Sequence, residues 1–226
     1  MRSKSLASLL IVMVAGITLL TGCVRRSPSA SAPAAPSGAI PAVALLHKTI
    51  VVAPFSIPAT DADLLSGYLP KNHFVSDRVP PRLDAVLSQV LATSSQNFAS
   101  PSVAAACAGS ASRGTESGRL ATLRYWQNVG KCAGADYVLV PLVLSWHERD
   151  GSDYGSTNPA SVNLSLYLVD SRTGAIVGHY HFEEAQEALA DNLLTMKQFV
   201  SRKGRWLTAE ELAREGLTRG MRELGL

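Results

Sequence analysis

The sequence predicts an α/β fold of the α+β kind: a mixed, mainly antiparallel sheet of about four strands packed with helices, one domain on a disordered amino-terminal tether. Three observations predict it. Residues 135–146, ADYVLVPLVLSW, are apolar on both faces, as a strand covered from both sides must be. Residues 160–182 alternate around Asp170-Ser171-Arg172-Thr173-Gly174, the composition of a hairpin turn. Stripes of helical period stand before and after these strands.

In chain order, Thr49-Ile50-Val51-Val52-Ala53-Pro54-Phe55 is a short continuous apolar run and reads as the first buried strand. Pro80-Pro81 precede a helix in which Leu83, Val86, Leu87, Val90 and Leu91 make one apolar stripe. Residues 99–118 read as a low-complexity connection, and a second helix follows near residues 119–129. The strand at 135–146 contains Pro141, which lacks a ladder donor, so a bulge or a local lack of pairing is expected there. Residues 150–159 read as a loop. On the next strand Val162, Leu164, Leu166 and Leu168 share one face; Ser161, Asn163, Ser165 and Tyr167 share the other. If Asp170 pairs with Gly174, then Leu168 faces Ile176, Leu164 faces Tyr180 and Val162 faces Phe182, with His179 and His181 together on the polar face. Leu189, Leu193, Met196 and Val200 predict a further helix. After the basic run 202–205, Thr208 and Glu211 have the spacing of a capping box for the last helix, whose buried side is Leu212, Leu217, Met221 and Leu224. Helices are expected on one face of the sheet more than on the other.

The long irregular stretch 56–80 carries Asp61, Asp63, Tyr68, Lys71, His73 and Asp77. Loops of this length either serve binding or are surface excursions without a role, and both readings stand.

The amino-terminal segment is an address. Arg2 and Lys4 precede an apolar core running from Leu6 to Leu20, which ends at Thr21, Gly22 and Cys23. A core of about 15 residues falls short of the roughly 20 needed to cross a bilayer, so a cleaved signal explains it better than a permanent span. Leu20-Thr21-Gly22-Cys23 resembles the lipobox of bacterial lipoproteins; the alternative is a plain secretory signal with a coincidental cysteine. The resemblance implies removal of residues 1–22 and acylation of Cys23, which would anchor the protein to a membrane without a spanning helix. Val24, rather than aspartate, follows the cysteine, which by the sorting pattern of enteric lipoproteins implies the outer membrane, on its periplasmic face. Residues 23–45 then form the lipidated start and a Ser/Pro/Ala-rich tether that cannot bury enough apolar surface to order itself, and residues 46–226 form the domain.

With Cys23 consumed by lipid, Cys107 and Cys132 are the two thiols left, in an oxidising compartment, and a disulfide is the natural reading. The alternative is two buried free thiols. A bridge would close a loop of about 25 residues and stabilise the domain by roughly 3 kcal/mol. The net charge of +3 falls to about +1 once Arg2 and Lys4 leave, which offers nucleic acid no electrostatic footprint. No Gly-x-Ser-x-Gly elbow, His-Glu-x-x-His pair or phosphate-cradling glycine loop occurs, so no catalytic residue and no cofactor are expected. One metal reading is open: His179 and His181 share a strand face and, with His147 and Glu148 or Glu183, have the residue types of a metal site. Trp126, Trp146 and Trp206 read as core or rim anchors.

The helix running into Gly134-Ala135-Asp136-Tyr137-Val138-Leu139-Val140, followed by strands whose last turn is Val169-Asp170-Ser171-Arg172-Thr173-Gly174, resembles a periplasmic α/β domain of a broad group. That group includes the curli secretion channel subunit, the amino-terminal domain of the Tol-Pal translocation protein and the lipoprotein activators of penicillin-binding proteins. The resemblance implies a non-enzymatic, lipid-anchored envelope module that docks onto an envelope protein or onto peptidoglycan-synthesis or export machinery. Two alternatives remain: a subunit of an oligomeric outer-membrane export complex, and a metal-binding enzyme built on the histidines.

Overall fold

Residues 138–144, the middle of the 135–146 run, have no wet side, although Asp136 near its start is exposed. Val138, Leu139, Val140 and Val143 are fully buried, which fixes their strand at the centre of a sheet. The computed structural model describes residues 45, 47–71, 73–112, 117–152, 155–186 and 205–226, all within a unit spanning residues 37–226. The signal, Cys23, the tether, the helix read over residues 189–200 and residues 202–204 of the basic run lie outside the described residues.

The elements are β1 (Thr49–Val52), α1 (Val79–Leu91), β2 (Asn97–Ala99), α2 (Pro101–Ser110), α3 (Gly118–Cys132), β3 (Tyr137–His147), β4 (Asp150–Ser152), β5 (Gly155–Asn158), β6 (Ser161–Asp170), β7 (Ile176–Ala185) and α4 (Ala209–Glu223). Five strands, rather than about four, form one mixed sheet in the order β2-β1-β3-β6-β7. The short pairs of β1 with β2 and β3 are parallel, and the long pairs of β6 with β3 and β7 are antiparallel. Within the stretch read as a loop, residues 150–152 and 155–158 are β4 and β5, which make a two-stranded antiparallel ribbon.

The sheet is covered on both faces, not mainly on one. On the first face α1 contributes Leu83, Val86 and Leu87, and α4 contributes Leu212, Leu217 and Met221; these pack on Leu139, Leu164, Leu166, Leu168 and Phe182. Pro80 and Pro81 sit inside the first turn of α1, where no amide needs an intrahelical acceptor. The capping box of α4 is complete, with Thr208 Oγ1 accepting from the Glu211 amide at 3.2 Å and Glu211 Oε2 accepting from the Thr208 amide at 2.9 Å. On the second face α2 and α3 place Ala104, Cys107, Trp126 and Val129 over Val51, Val138, Val140, Leu142 and Tyr167. The side of β6 that reads as polar is therefore also buried: Asn163, Ser165 and Tyr167 are 3%, 2% and 1% exposed.

Three local expectations change. The connection 99–118 contains the helix α2, whose Ala and Ser residues lack the polar-apolar contrast that signals a helix but have the propensity for one. Pro141 stays in register with Leu166, and the bulge of β3 lies between Val143 and Ser145. The carbonyl of Pro141 accepts from the Ser56 amide, so its donorless nitrogen also faces the side where β1 has already ended. At the hairpin, Leu168 faces Gly178, Leu166 faces Tyr180 and Leu164 faces Phe182, two residues away from the expected register. The Asp170 carbonyl accepts from the Gly174 amide at 2.8 Å, but the Asp170 amide donates to the Ala175 carbonyl, so the ladder pairs one residue further on, and a bulge between Leu168 and Val169 adds the second residue. An even shift preserves which side chains share a face. Gly174 supplies the left-handed backbone of the turn at φ 74°, and Asp170 Oδ1 accepts from the amides of Arg172 and Thr173.

Candidate binding cleft

β3, β6 and β7 finish together at one end of the sheet, where His147 pairs with Ser161 and Ser161 with Ala185. Pro70, Lys71 and Phe74 of the long segment border this end, and polar residues of the segment fasten it. Asp63 accepts from the amides of Ala59 and Thr60 and from the Thr60 hydroxyl, and Asp61 accepts from the Leu69 amide at 2.7 Å. Thr122 donates to the Ala62 carbonyl at 2.8 Å, and Arg119 donates to the carbonyls of Asp61 and Gly67. Tyr167 donates to the Ser66 carbonyl, and His73 Nδ1 donates to the Leu144 carbonyl of β3. Leu64 and Leu65 are buried in the second-face core, so this part of the segment packs against the sheet.

That anchoring leaves an open cleft of roughly 660 Å³. Pro70, Lys71 and Phe74 form one lip; the ends of β3 (Ser145, Trp146, His147) and β6 (Ser161, Val162, Asn163) form the floor, with Glu183, Glu184 and Ala185 of β7 opposite. Phe74 is 78% exposed, and Tyr68 on the same segment is 80% exposed with the Arg119 guanidinium 5.4 Å from its ring centre. Trp146 is held from the first face: its Nε1 donates to Glu148 at 3.0 Å, Arg82 donates to the same carboxylate oxygen at 2.8 Å, and the Arg82 guanidinium lies 5.7 Å from the ring centre. The hydrogen bond to Glu148 pushes the Arg82 pKa up further, so that cation is permanent.

Asn163 is the exceptional member. It is almost fully buried beside the cleft, and its Oδ1 has no hydrogen-bond partner. A buried amide left unpaired costs roughly 1–3 kcal/mol. Asn163 carries no sequence motif; the one signal for it is an asparagine inside a strand, where that residue is depleted. Phe74 was equally silent, lying within a stretch that contains no recognisable pattern.

The residues singled out from sequence are distributed as follows. Cys107 and Cys132 form a disulfide with Cα atoms 5.7 Å apart, joining α2 to the end of α3. His179 and His181 lie opposite Tyr167 and Ser165 on β6, whereas His147 lies opposite Ser161. Six residues of strand between 161 and 167 span about 20 Å, so His147 does not share a site with His179. Among the described residues no group of three or more His, Cys, Asp or Glu is disposed to hold a metal ion. Instead His179 stacks on Tyr167 with ring centres 4.3 Å apart, and His181 Nδ1 meets Ser165 Oγ at 3.1 Å. Burial, and then the neighbouring His181, lower the His179 pKa and keep the ring neutral. No helix among the described residues is long and apolar enough to cross a membrane.

No protein-family model matches the chain, and no curated protein matches it. Solved structures with a similar arrangement include a PelC dodecamer from Paraburkholderia phytofirmans, 11% identical, aligned over 83% of this chain and 91% of that one at a TM-score of 0.44. Lipoprotein GNA1162 from Neisseria meningitidis is 15% identical over 69% of this chain and 97% of that one, at 0.38. The LpoB C-terminal domain from Salmonella enterica is 14% identical over 62% and 83%, at 0.34. Bacterial lipoproteins are thus among the structural neighbours, at identities and TM-scores too low to transfer a function.

Proposed function

We propose that the chain is a lipid-anchored module on the periplasmic face of the outer membrane that docks a partner and does no chemistry on it. The observation that carries this reading is Leu20-Thr21-Gly22-Cys23 at the end of a short apolar core, with Val24 following. The Cys107–Cys132 bridge supports it, since such bonds persist in oxidising compartments. The cleft supports the docking half: it sets an exposed aromatic side chain, Phe74, beside the strand ends of a packed sheet. The partner we infer is a component of envelope assembly, from peptidoglycan-synthesis or export machinery.

Cell fractionation together with site-specific photo-crosslinking tests both halves. Wild-type protein is expected in the membrane fraction and Cys23→Ser in the soluble fraction. A crosslinker at Phe74 is expected to give one envelope adduct, and the same group at exposed Arg222 none. Cytosolic recovery, or equal adducts from both positions, contradicts the reading.

A further inference from the structure

The two edges of the sheet are unlike. β2 is three residues long, whereas β7 runs for ten residues without proline or lysine and stands last in the strand order of the described residues. An edge strand offers its backbone to another strand, and proteins ordinarily blunt such edges by shortness, proline, lysine or bulges. We propose that β7 pairs antiparallel with β7 of a second copy of this chain, about a twofold axis at Phe182, so that two sheets join into one. The inference concerns a different surface from the cleft and does not rest on the docking reading.

The ladder with β6 sets the direction of the backbone. The Gln186 amide donates to the Ala160 carbonyl, and pairing runs regularly from there to Leu168 and Gly178, so the even-numbered residues of β7 turn their amides and carbonyls toward β6. His179, His181, Glu183 and Ala185 turn theirs outward; at Val177 the pairing shifts and the regular edge ends. Residues 179–184 border a groove of roughly 530 Å³ together with Arg219 and Glu223 of α4. Successive strand residues alternate between the two faces, so a groove bordered by all of them runs along the edge itself.

That edge is its own complement. With the axis at Phe182, His179 faces the partner's Ala185 and His181 faces the partner's Glu183, so each outward residue has a counterpart. An axis at His181 would set Ala185 against the irregular Val177, and one at Glu183 would set two carboxylates face to face. On the first face Tyr180 meets the partner's Glu184, beside Arg219 in the same groove. The Arg219 guanidinium lies 5.8 Å from the Phe182 ring centre and makes no ion pair among the described residues, so the seam brings a carboxylate to an unpaired cation. The twofold axis makes each of these contacts twice, which selects a second copy over a strand of unrelated sequence.

Sedimentation equilibrium of the full chain in density-matched detergent reads the mass of the protein. The wild type is expected to be a dimer that dissociates on dilution. His181→Glu sets carboxylates opposite one another across the seam, and a chain carrying both His181→Lys and Glu183→Lys does the same with ammonium groups. Each variant alone should dimerise at least about tenfold more weakly, and an equimolar mixture should regain the wild-type affinity. Both variants lose the hydrogen bond between His181 and Ser165, so recovery on mixing reports the seam and not the fold. Cysteine variants at these two exposed positions keep the test open should a charge variant not fold. Facing residues of such a ladder have Cα atoms about 5.5 Å apart, within disulfide range. Mild oxidation of mixed His181→Cys and Glu183→Cys chains should give a covalent dimer, and of either alone much less. The proposal is overturned by a wild type that stays monomeric at every concentration, by charge variants that dimerise as the wild type does, by a mixture that stays monomeric, or by cysteine variants that link no better mixed than alone.

Discussion

Reducing the Cys107–Cys132 bridge should destabilise the domain by roughly 3 kcal/mol and release α2 first. The magnitude follows from the 25-residue separation of the two cysteines, since the bridge removes loop-closure entropy from the unfolded chain. The location follows from packing: α2 buries only Ala104 and Cys107, so beyond the bridge little apolar surface holds it to the sheet. A ten-residue helix is marginal in water without such support. Urea titration of the full chain in micelles, with and without a dithiol, reads the global effect. At roughly 2–3 kcal/mol per molar for a domain of this size, the midpoint should fall by about 1–1.5 M on reduction. Hydrogen exchange reads the local effect: amides of α2 should lose protection in reduced protein under native conditions while β3 and β6 keep theirs. Equal midpoints in the oxidised and reduced protein, or two titratable thiols in denatured, unreduced protein, would refute the reasoning.

Thr208→Ala removes the capping box of α4 and should cost about 1 kcal/mol by chemical denaturation; a change below about 0.3 would show that packing alone fixes that helix end. Gly130→Ala would place a Cβ 2.1 Å from Ser171 Oγ and 2.7 Å from Val138 Cγ2, so despite better helix propensity it should be destabilising by about 1–3 kcal/mol, with Ser171→Gly restoring part of the loss. The Asp136 carboxyl is held below its ordinary value by the Thr49 amide and then by Lys48, so its stabilisation is present above the ordinary aspartate range and disappears as pH falls through the folded value. Asp136→Asn should therefore flatten the acid limb of the stability profile. Asp84 has the opposite sign: burial raises its pKa although it accepts from the Phe55 amide at 2.7 Å, so its favourable term is present in acid and lost as pH rises through the folded value. At neutral pH Asp84→Asn, which keeps an acceptor, should match or exceed the wild type, while Asp84→Ala should cost about 1 kcal/mol.

What could be read from the sequence was whatever burial writes as periodicity. The two-sided run at β3, the stripe from Leu83 to Leu87 and the Thr208–Glu211 box each needed only local information, and the structure contains all three. α2 was illegible because Ala and Ser give no contrast between faces, and β2 because three residues carry no period. The hairpin register differs by two because neither the extra residue of the turn nor the bulge leaves a mark in an alternating pattern, while the turn glycine and the shared faces were correct. Most of the cleft was beyond local reading. Asn163, Phe74 and Trp146 are far apart in sequence and gain meaning only when β3 and β6 end together beneath a segment whose anchors, Ser66 and His73, bond to strands distant in the chain. The histidines show the converse: types suited to a metal, separated by the strand register.

Membrane anchoring depends on residue 23. Mass spectrometry of the amino-terminal peptide from membrane-extracted protein is the direct measurement: a mature chain beginning at Cys23 with acyl chains on it is the predicted result. An unmodified thiol there, or a chain that retains residues 1–22, would contradict the account.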